Sequence, residues 1–74
     1  MTCDGLRRGQ RGRVLELSVP EALRQRLLDF GFTKGSELCC LRPCCGGAML
    51  VQIGGTVLAL RRGDCQKIQV AVLP

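Results

Sequence analysis

Histidine, tryptophan and tyrosine are absent from this chain, and two Phe are its only aromatic residues. Without His, the commonest general base is missing, and so is every Ser-His or Cys-His nucleophile pairing. The six Asp and Glu residues are scattered and form no evident catalytic pair. Long apolar runs are missing too. The longest, such as Ala48 to Val51 and Val57 to Leu60, hold four residues each, far short of the ~20 that a spanning helix needs. The start, Met1-Thr2-Cys3-Asp4-Gly5, carries no apolar segment of a secretory leader. A cytoplasmic protein is therefore expected, one that is not an enzyme, does not insert into membranes and carries no cofactor.

What is present fits one small globular domain. The 74 residues are 46% hydrophobic and 23% charged, a balance that excludes disorder. A domain of this size buries only about 60% of its unfolded surface, so its core is thin. Eleven Lys and Arg against six acids leave a charge of +5, which draws the chain to acidic surfaces. Arg7, Arg8, Arg11 and Arg13 cluster near the start, and Arg61-Arg62 follow a strand. A solvated face that keeps the domain soluble accounts for them equally well.

Residues Arg11 to Leu17 read as a strand, bulged or covered on both sides because Val14 and Leu15 are adjacent. Ser18-Val19-Pro20-Glu21 has the pattern of a helix start, with Ser18 as cap and Glu21 reaching back. Leu23, Leu27 and Phe30 then form one apolar stripe. Gly31 is placed to stop the helix in the left-handed conformation, with Phe32 folding back onto Leu27. Ser36 to Arg42 alternates as a strand with Leu38 and Cys40 inward, ended by Pro43.

Ala48–Ile53 and Thr56–Arg61 flank Gly54-Gly55 as a hairpin. Its register pairs Ile53 with Thr56, Val51 with Leu58 and Met49 with Leu60, putting an apolar face inward. Arg62 to Gln66 is a short turn, and Lys67 to Val72 a closing strand with Ile68, Val70 and Val72 on one face. Five short strands with one helix between the first two predict a mainly β protein. Closure removes exposed edges, so the expected fold is a small five-stranded barrel of the Src-homology-3 (SH3) type, with the helix plugging one side.

The ordered series Gly9-Gln10-Arg11-Gly12-Arg13-Val14, Leu27-Leu28-Asp29-Phe30-Gly31-Phe32-Thr33-Lys34-Gly35, Pro43, Gly46-Gly47, Gly54-Gly55, Ala59-Leu60-Arg61-Arg62 and Ile68-Gln69-Val70 resembles the ferrous iron transport protein A family (FeoA-like). The match covers about residues 5 to 72 of a single domain. The resemblance implies a cytosolic SH3-like accessory or regulator of ferrous iron uptake. Its implied partner is the cytosolic part of a membrane ferrous iron permease, ferrous iron transport protein B, which carries a G-protein domain. Transition-metal binding is a family-level association. A related module ends some metal-dependent repressors, which keeps a nucleic-acid-linked regulator as the alternative reading.

Three groups of residues are candidate sites. The first is the outer hairpin face: Leu50, Val57 and Ala59 with Gln52, Arg61 and Arg62 form an apolar centre with a polar rim, the layout of a modest partner-binding patch. Helix cover on that face would remove it. The second is Cys39-Cys40-Leu41-Arg42-Pro43-Cys44-Cys45, four of the six thiols in seven residues. Cys39, Cys44 and Cys45 are its candidate metal ligands, and a thiol metal-binding protein is the second alternative. The spacing lacks the paired Cys-x-x-Cys of a zinc site, and neighbouring strand residues face opposite ways. The plain reading buries Cys40 in the core and leaves Cys39, Cys44 and Cys45 near the surface. The third group is the basic residues. Phe30 and Phe32 are committed to the helix and its cap, so stacking aromatics are lacking and nucleic acid is not the expected partner.

Overall fold

The computed structural model describes the backbone of residues 1–74 and every side chain except that of Cys45. Five strands form one antiparallel sheet: β1 (Arg11–Leu17), β2 (Glu37–Cys45), β3 (Ala48–Ile53), β4 (Thr56–Arg61) and β5 (Ile68–Val72). Their spatial order is β4-β3-β2-β1-β5. Helix α1 (Glu21–Asp29) is inserted between β1 and β2, and a one-turn helix α2 (Arg62–Cys65) joins the two edge strands. The short predicted turn after β4 is thus a turn of α-helix.

The hairpin has the expected register, Ile53 opposite Thr56, Val51 opposite Leu58 and Met49 opposite Leu60. That register buries Met49, Val51, Ile53 and Leu60, while Leu58 stays half-buried. β1 is bulged against β5 between Val14 and Glu16. The bulge sends Val14 into the core and leaves Leu15 exposed. In β5, Ile68 and Val70 are buried, but Val72 faces solvent, contrary to expectation.

Pro43 does not end β2, which continues to Cys45. The ladder to β3 pairs Arg42 with Leu50 and Cys45 with Ala48, with an irregularity between them. Pro43 sits in that irregularity, where its missing N–H costs no ladder bond. The start of the chain is also more than a lead-in turn. Cys3–Gly5 form a 3₁₀ turn, Cys3 and Leu6 are buried, and the Val70 N–H donates to the Met1 carbonyl at 2.8 Å. A Cβ on Gly12 would meet Val70 Cβ at 3.4 Å and Leu6 Cδ1 at 3.5 Å, so this N-terminal segment packs closely over β1.

Helix α1 departs from the sequence reading at its start. Pro20 is the N-cap, and no side chain caps it. Ser18 lies two residues upstream, tied to β5 by its N–H to the Lys67 carbonyl at 2.9 Å. Glu21 turns instead to Gln25 and Arg24, and the Arg24 guanidinium donates to the Leu17 carbonyl at 3.0 Å. The helix end matches expectation. The Phe32 N–H donates to the Leu27 carbonyl at 2.8 Å and the Gly31 N–H to that of Leu28 at 2.9 Å, the paired bonds of a Schellman stop. Gly31 has φ 82°, and Leu27 and Phe32 are buried.

The apolar stripe does not form as a unit. Leu27 is buried and Leu23 half-buried, but Phe30 is 46% exposed. Phe30 is the C-cap residue (φ −92°, ψ 3°), where the helix has ended, and Phe32 takes the core position instead. The helix therefore rests on one side of the sheet through its C-terminal end and does not plug it.

A Cβ at Gly31 would touch nothing within 4 Å, so the cost of adding one there is purely that of the left-handed backbone. Gly31→Ala is expected to destabilise the fold by about 1 kcal/mol, read as a lower urea midpoint. An unchanged midpoint would contradict the cap.

Candidate functional site

Two regions carry chemistry, a set of thiols and a groove. Cys3, Cys40 and Cys65 are fully buried, and Cys39 and Cys44 are half-buried free thiols. The side chain of Cys45 lies outside the described residues. The Cys3 thiol faces Met49 Sδ at 3.9 Å, that of Cys40 the Leu6 carbonyl at 3.7 Å and that of Cys65 the Leu60 carbonyl at 3.9 Å. These are weak thiol donor contacts, possible only for the protonated form. Contact with Cys3, followed by burial, pushes the Cys65 thiol far up. Burial and the neighbouring thiols Cys39 and Cys44 raise Cys40. Burial and Cys65 raise Cys44, while Arg62 pulls it part of the way back.

The metal ligand is the thiolate, so thiols held protonated are poor ligands at neutral pH. Cys39 lies in a shallow depression with Arg11, Glu37 and Gln52, whereas Cys44 meets Cys65 and Arg62. The fold thus gives the candidate ligands Cys39 and Cys44 different surroundings. Among the described residues, no group of three or more His, Cys, Asp or Glu side chains is placed to hold a metal ion. Sequence reasoning placed Cys40 in the core but gave Cys3 and Cys65 no part in it. Their signal was weak, since each lies in a short glycine-containing stretch, Thr2 to Gly5 and Arg62 to Gln66, without strand periodicity.

The groove lies between α1 and β4 and measures about 540 Å³. Pro20, Ala22, Leu23, Arg26, Leu27 and Phe30 line it from the helix side, and Leu58, Ala59, Leu60, Arg61 and Asp64 from the sheet side. It exists because α1 is anchored at its C-terminal end and buries only Leu27 along its length. Its walls are mixed: Leu23, Leu27, Phe30, Leu58 and Leu60 supply apolar surface, and Arg26, Arg61 and Asp64 supply polar groups. Arg26 and Arg61 stand without an ion pair among the described residues. By contrast, Arg11 and Arg13 share Glu37, at 3.9 and 2.9 Å, so part of the charge of the N-terminal basic cluster is already compensated.

The patch expected on the outer hairpin face is divided. Ala59 and Arg61 line the groove. Val57, 54% exposed, and Gln52 face solvent, and Leu50 is half-buried. Arg62 is exposed at the start of α2. Sequence reasoning missed the helix side of this surface, Leu23, Arg26 and Phe30. The aromatics Phe30 and Phe32 on either side of Gly31 held the signal, because a single Schellman stop buries only the second.

The model of the FeoA domain matches residues 1–72. The chain belongs to the FeoA domain family. A FeoA protein of Chlorobium tepidum is 32% identical, superposes with a TM-score of 0.92, and is matched over 100% of this chain and 71% of its own. FeoA of Stenotrophomonas maltophilia, described as a prokaryotic SH3 domain protein and solved with zinc, is 30% identical over 96% of this chain and 89% of its own, with a TM-score of 0.78. A Campylobacter jejuni protein described as a candidate Fe(2+) transport protein A is 28% identical over 99% of this chain and its own full length. The SH3-like architecture expected from five short strands is therefore that of a FeoA relative. A manganese-dependent transcriptional repressor shares the fold at 23% identity and a TM-score of 0.85, this chain spanning 41% of it. That likeness is one of fold alone. No helix of this FeoA chain is long and apolar enough to cross a membrane.

The raised thiols give a pH dependence of definite sign. Well below the ordinary thiol pKa of about 8.5 these thiols are protonated in both folded and unfolded chains, and stability does not depend on their ionisation. At higher pH the unfolded chain releases protons that folded Cys40, Cys44 and Cys65 retain, so stability falls as pH rises. The urea midpoint is expected to drop between pH 8 and 10, and Cys65→Ala to flatten that slope. Iodoacetamide at pH 8 should modify Cys39 in the native protein, and Cys3, Cys40 and Cys65 only after unfolding. Peptide mass mapping checks this, and native labelling of Cys65 at the rate of Cys39 would contradict it.

Proposed function

We propose that this FeoA chain is an accessory protein of ferrous iron uptake. It docks on the cytosolic part of a membrane ferrous iron permease, at the G-protein domain, and carries out neither transport nor catalysis itself. The observation that carries this reading is the open α1–β4 groove, in which Leu23, Phe30 and Leu58 are presented beneath Arg26 and Arg61. Burial of such apolar side chains supplies net affinity, while rim charges mainly set the encounter rate. The iron-transport role follows the family and the Campylobacter jejuni relative named for Fe(2+) transport. The zinc held by the Stenotrophomonas maltophilia relative is not carried over, because the Cys40, Cys44 and Cys65 thiols are held in the protonated form and no cluster of ligands is assembled among the described residues.

The outer hairpin residues Leu50, Gln52 and Val57 lie on the other face of β3 and β4 from Leu58 and Leu60 and form a second part of the docking surface, which meets the groove along the β4 edge at Ala59 and Arg61. Phe30→Asp and Val57→Asp are expected to weaken binding of the permease's G-protein domain at least tenfold. Arg61→Ala should weaken it only a few-fold and mainly at low salt. Calorimetric titration at two salt concentrations, with circular dichroism to confirm folding, checks both. Loss of binding on Arg61→Ala with no effect of Phe30→Asp or Val57→Asp would overturn apolar docking. It would leave an electrostatic partner such as nucleic acid as the better reading.

A further inference from the structure

The two edges of the sheet are treated differently. The outer edge of β5 is occupied: Thr2 bridges Gln69, and the Val70 N–H donates to the Met1 carbonyl at 2.8 Å. An extended segment therefore already pairs onto this sheet from outside. The opposite edge, β4, has no such cover. Among the described residues, no backbone bond beyond the β3 ladder involves Val57 or Ala59.

The register shows which atoms are free. Ile53 and Thr56 close the two-residue Gly54-Gly55 loop. The pair that closes such a loop exchanges both of its backbone bonds, and bonded pairs then alternate with non-bonded ones. Thr56, Leu58 and Leu60 therefore point their N–H and C=O groups at β3. Val57 and Ala59, opposite Gln52 and Leu50, point theirs outward. A free edge of this kind is a template for another strand. It also runs along the groove, where Leu58 and Leu60 face Leu23 and Phe30.

We propose that β4 is extended by an extended segment of a partner protein, which bonds to the Val57 and Ala59 backbone and sets alternate apolar side chains into the α1–β4 groove. This rests on the docking reading above and adds to it the atoms that make the contact. Charge selects the occupant. Arg26 and Arg61 stand unpaired over the groove, and Asp64 is the single acid lining it. The segment is therefore apolar at alternate positions and acidic between or beside them. Main-chain bonds supply affinity in strand addition, and alternate side-chain pockets supply specificity. A volume of about 540 Å³ lies in the range of sites that enclose a small ligand and so suits a few side chains.

The test is amide hydrogen exchange by NMR on the whole protein. The probes are the permease's G-protein domain, overlapping ten-residue peptides from the permease's cytosolic segments, and an acetylated hexapeptide alternating glutamate and valine. At saturation with one of these, the Val57 and Ala59 amides are expected to slow at least tenfold, with Thr56, Leu58 and Leu60 little changed. Ala59→Pro removes one outward N–H without touching the β3 ladder and should cost about tenfold in affinity, whereas Ala59→Val, which keeps the N–H, should not. The exchange measurement on the unmutated protein stands even where the proline variant is poorly folded. Binding of the domain with Val57 and Ala59 still unprotected would overturn strand addition and leave the docking reading intact. Absence of binding by the domain and by every peptide at 1 mM would overturn both. Protection that grows with protein concentration alone would mean that a second copy fills the edge, and it would overturn the proposed occupant.

Discussion

Leu27 is used twice. Its side chain is in the core, and its carbonyl accepts the N–H groups of both Phe30 and Phe32. That double use forces the chain through Gly31 and delivers Phe32, the largest fully buried side chain, into the centre. It also leaves the preceding turns of the helix with no second buried side chain, held only by the Arg24 bond to the Leu17 carbonyl. Leu23 is only half-buried and Phe30 is left outside. The groove between α1 and β4 follows from this one-ended attachment. A helix packed along its whole length would have filled it.

The thin core explains the cysteines. In 74 residues there is little room for large side chains, and three of the six Cys are buried as small apolar groups whose thiols point at Met49, Leu6 and Leu60. Burial raises Cys40, and contact with Cys3 together with burial raises Cys65, which removes the thiolate that metal binding and redox chemistry need. Half of the cysteines thus become an unreactive part of the interior, and chemistry is left to the surface. There the unpaired arginines and the apolar residues of the groove are the distinctive features.

Local pattern made most of the fold legible. The Gly54-Gly55 loop determined a whole hairpin register, and Leu27-Gly31-Phe32 determined the helix stop, because each depends on contacts a few residues apart. Features set by distant partners were not legible. Ser18 and Glu21 have the right spacing for a cap, yet the bond from Ser18 to Lys67 draws that residue to β5. Pro43 reads as a strand end, but an irregularity in the ladder to β3 accommodates it. The buried positions of Cys3 and Leu6 depend on the N-terminal segment pairing with β5, almost the full chain length away. For the candidate site, the strand side at Ala59 and Arg61 followed from hairpin alternation. The helix side at Leu23, Arg26 and Phe30 depended on where α1 rests, which periodicity alone cannot state.

The central claim is that the face between α1 and β4 meets the permease. The most direct measurement is methyl-detected NMR of the protein bound to the permease's G-protein domain, with intermolecular contacts recorded from Leu23, Leu58 and the Phe30 ring. The account predicts contacts from all three, with the methyls of buried Val14 and Ile68 unaffected. Contacts absent from these three, with shifts concentrated instead around Arg7 and Arg8, would contradict it.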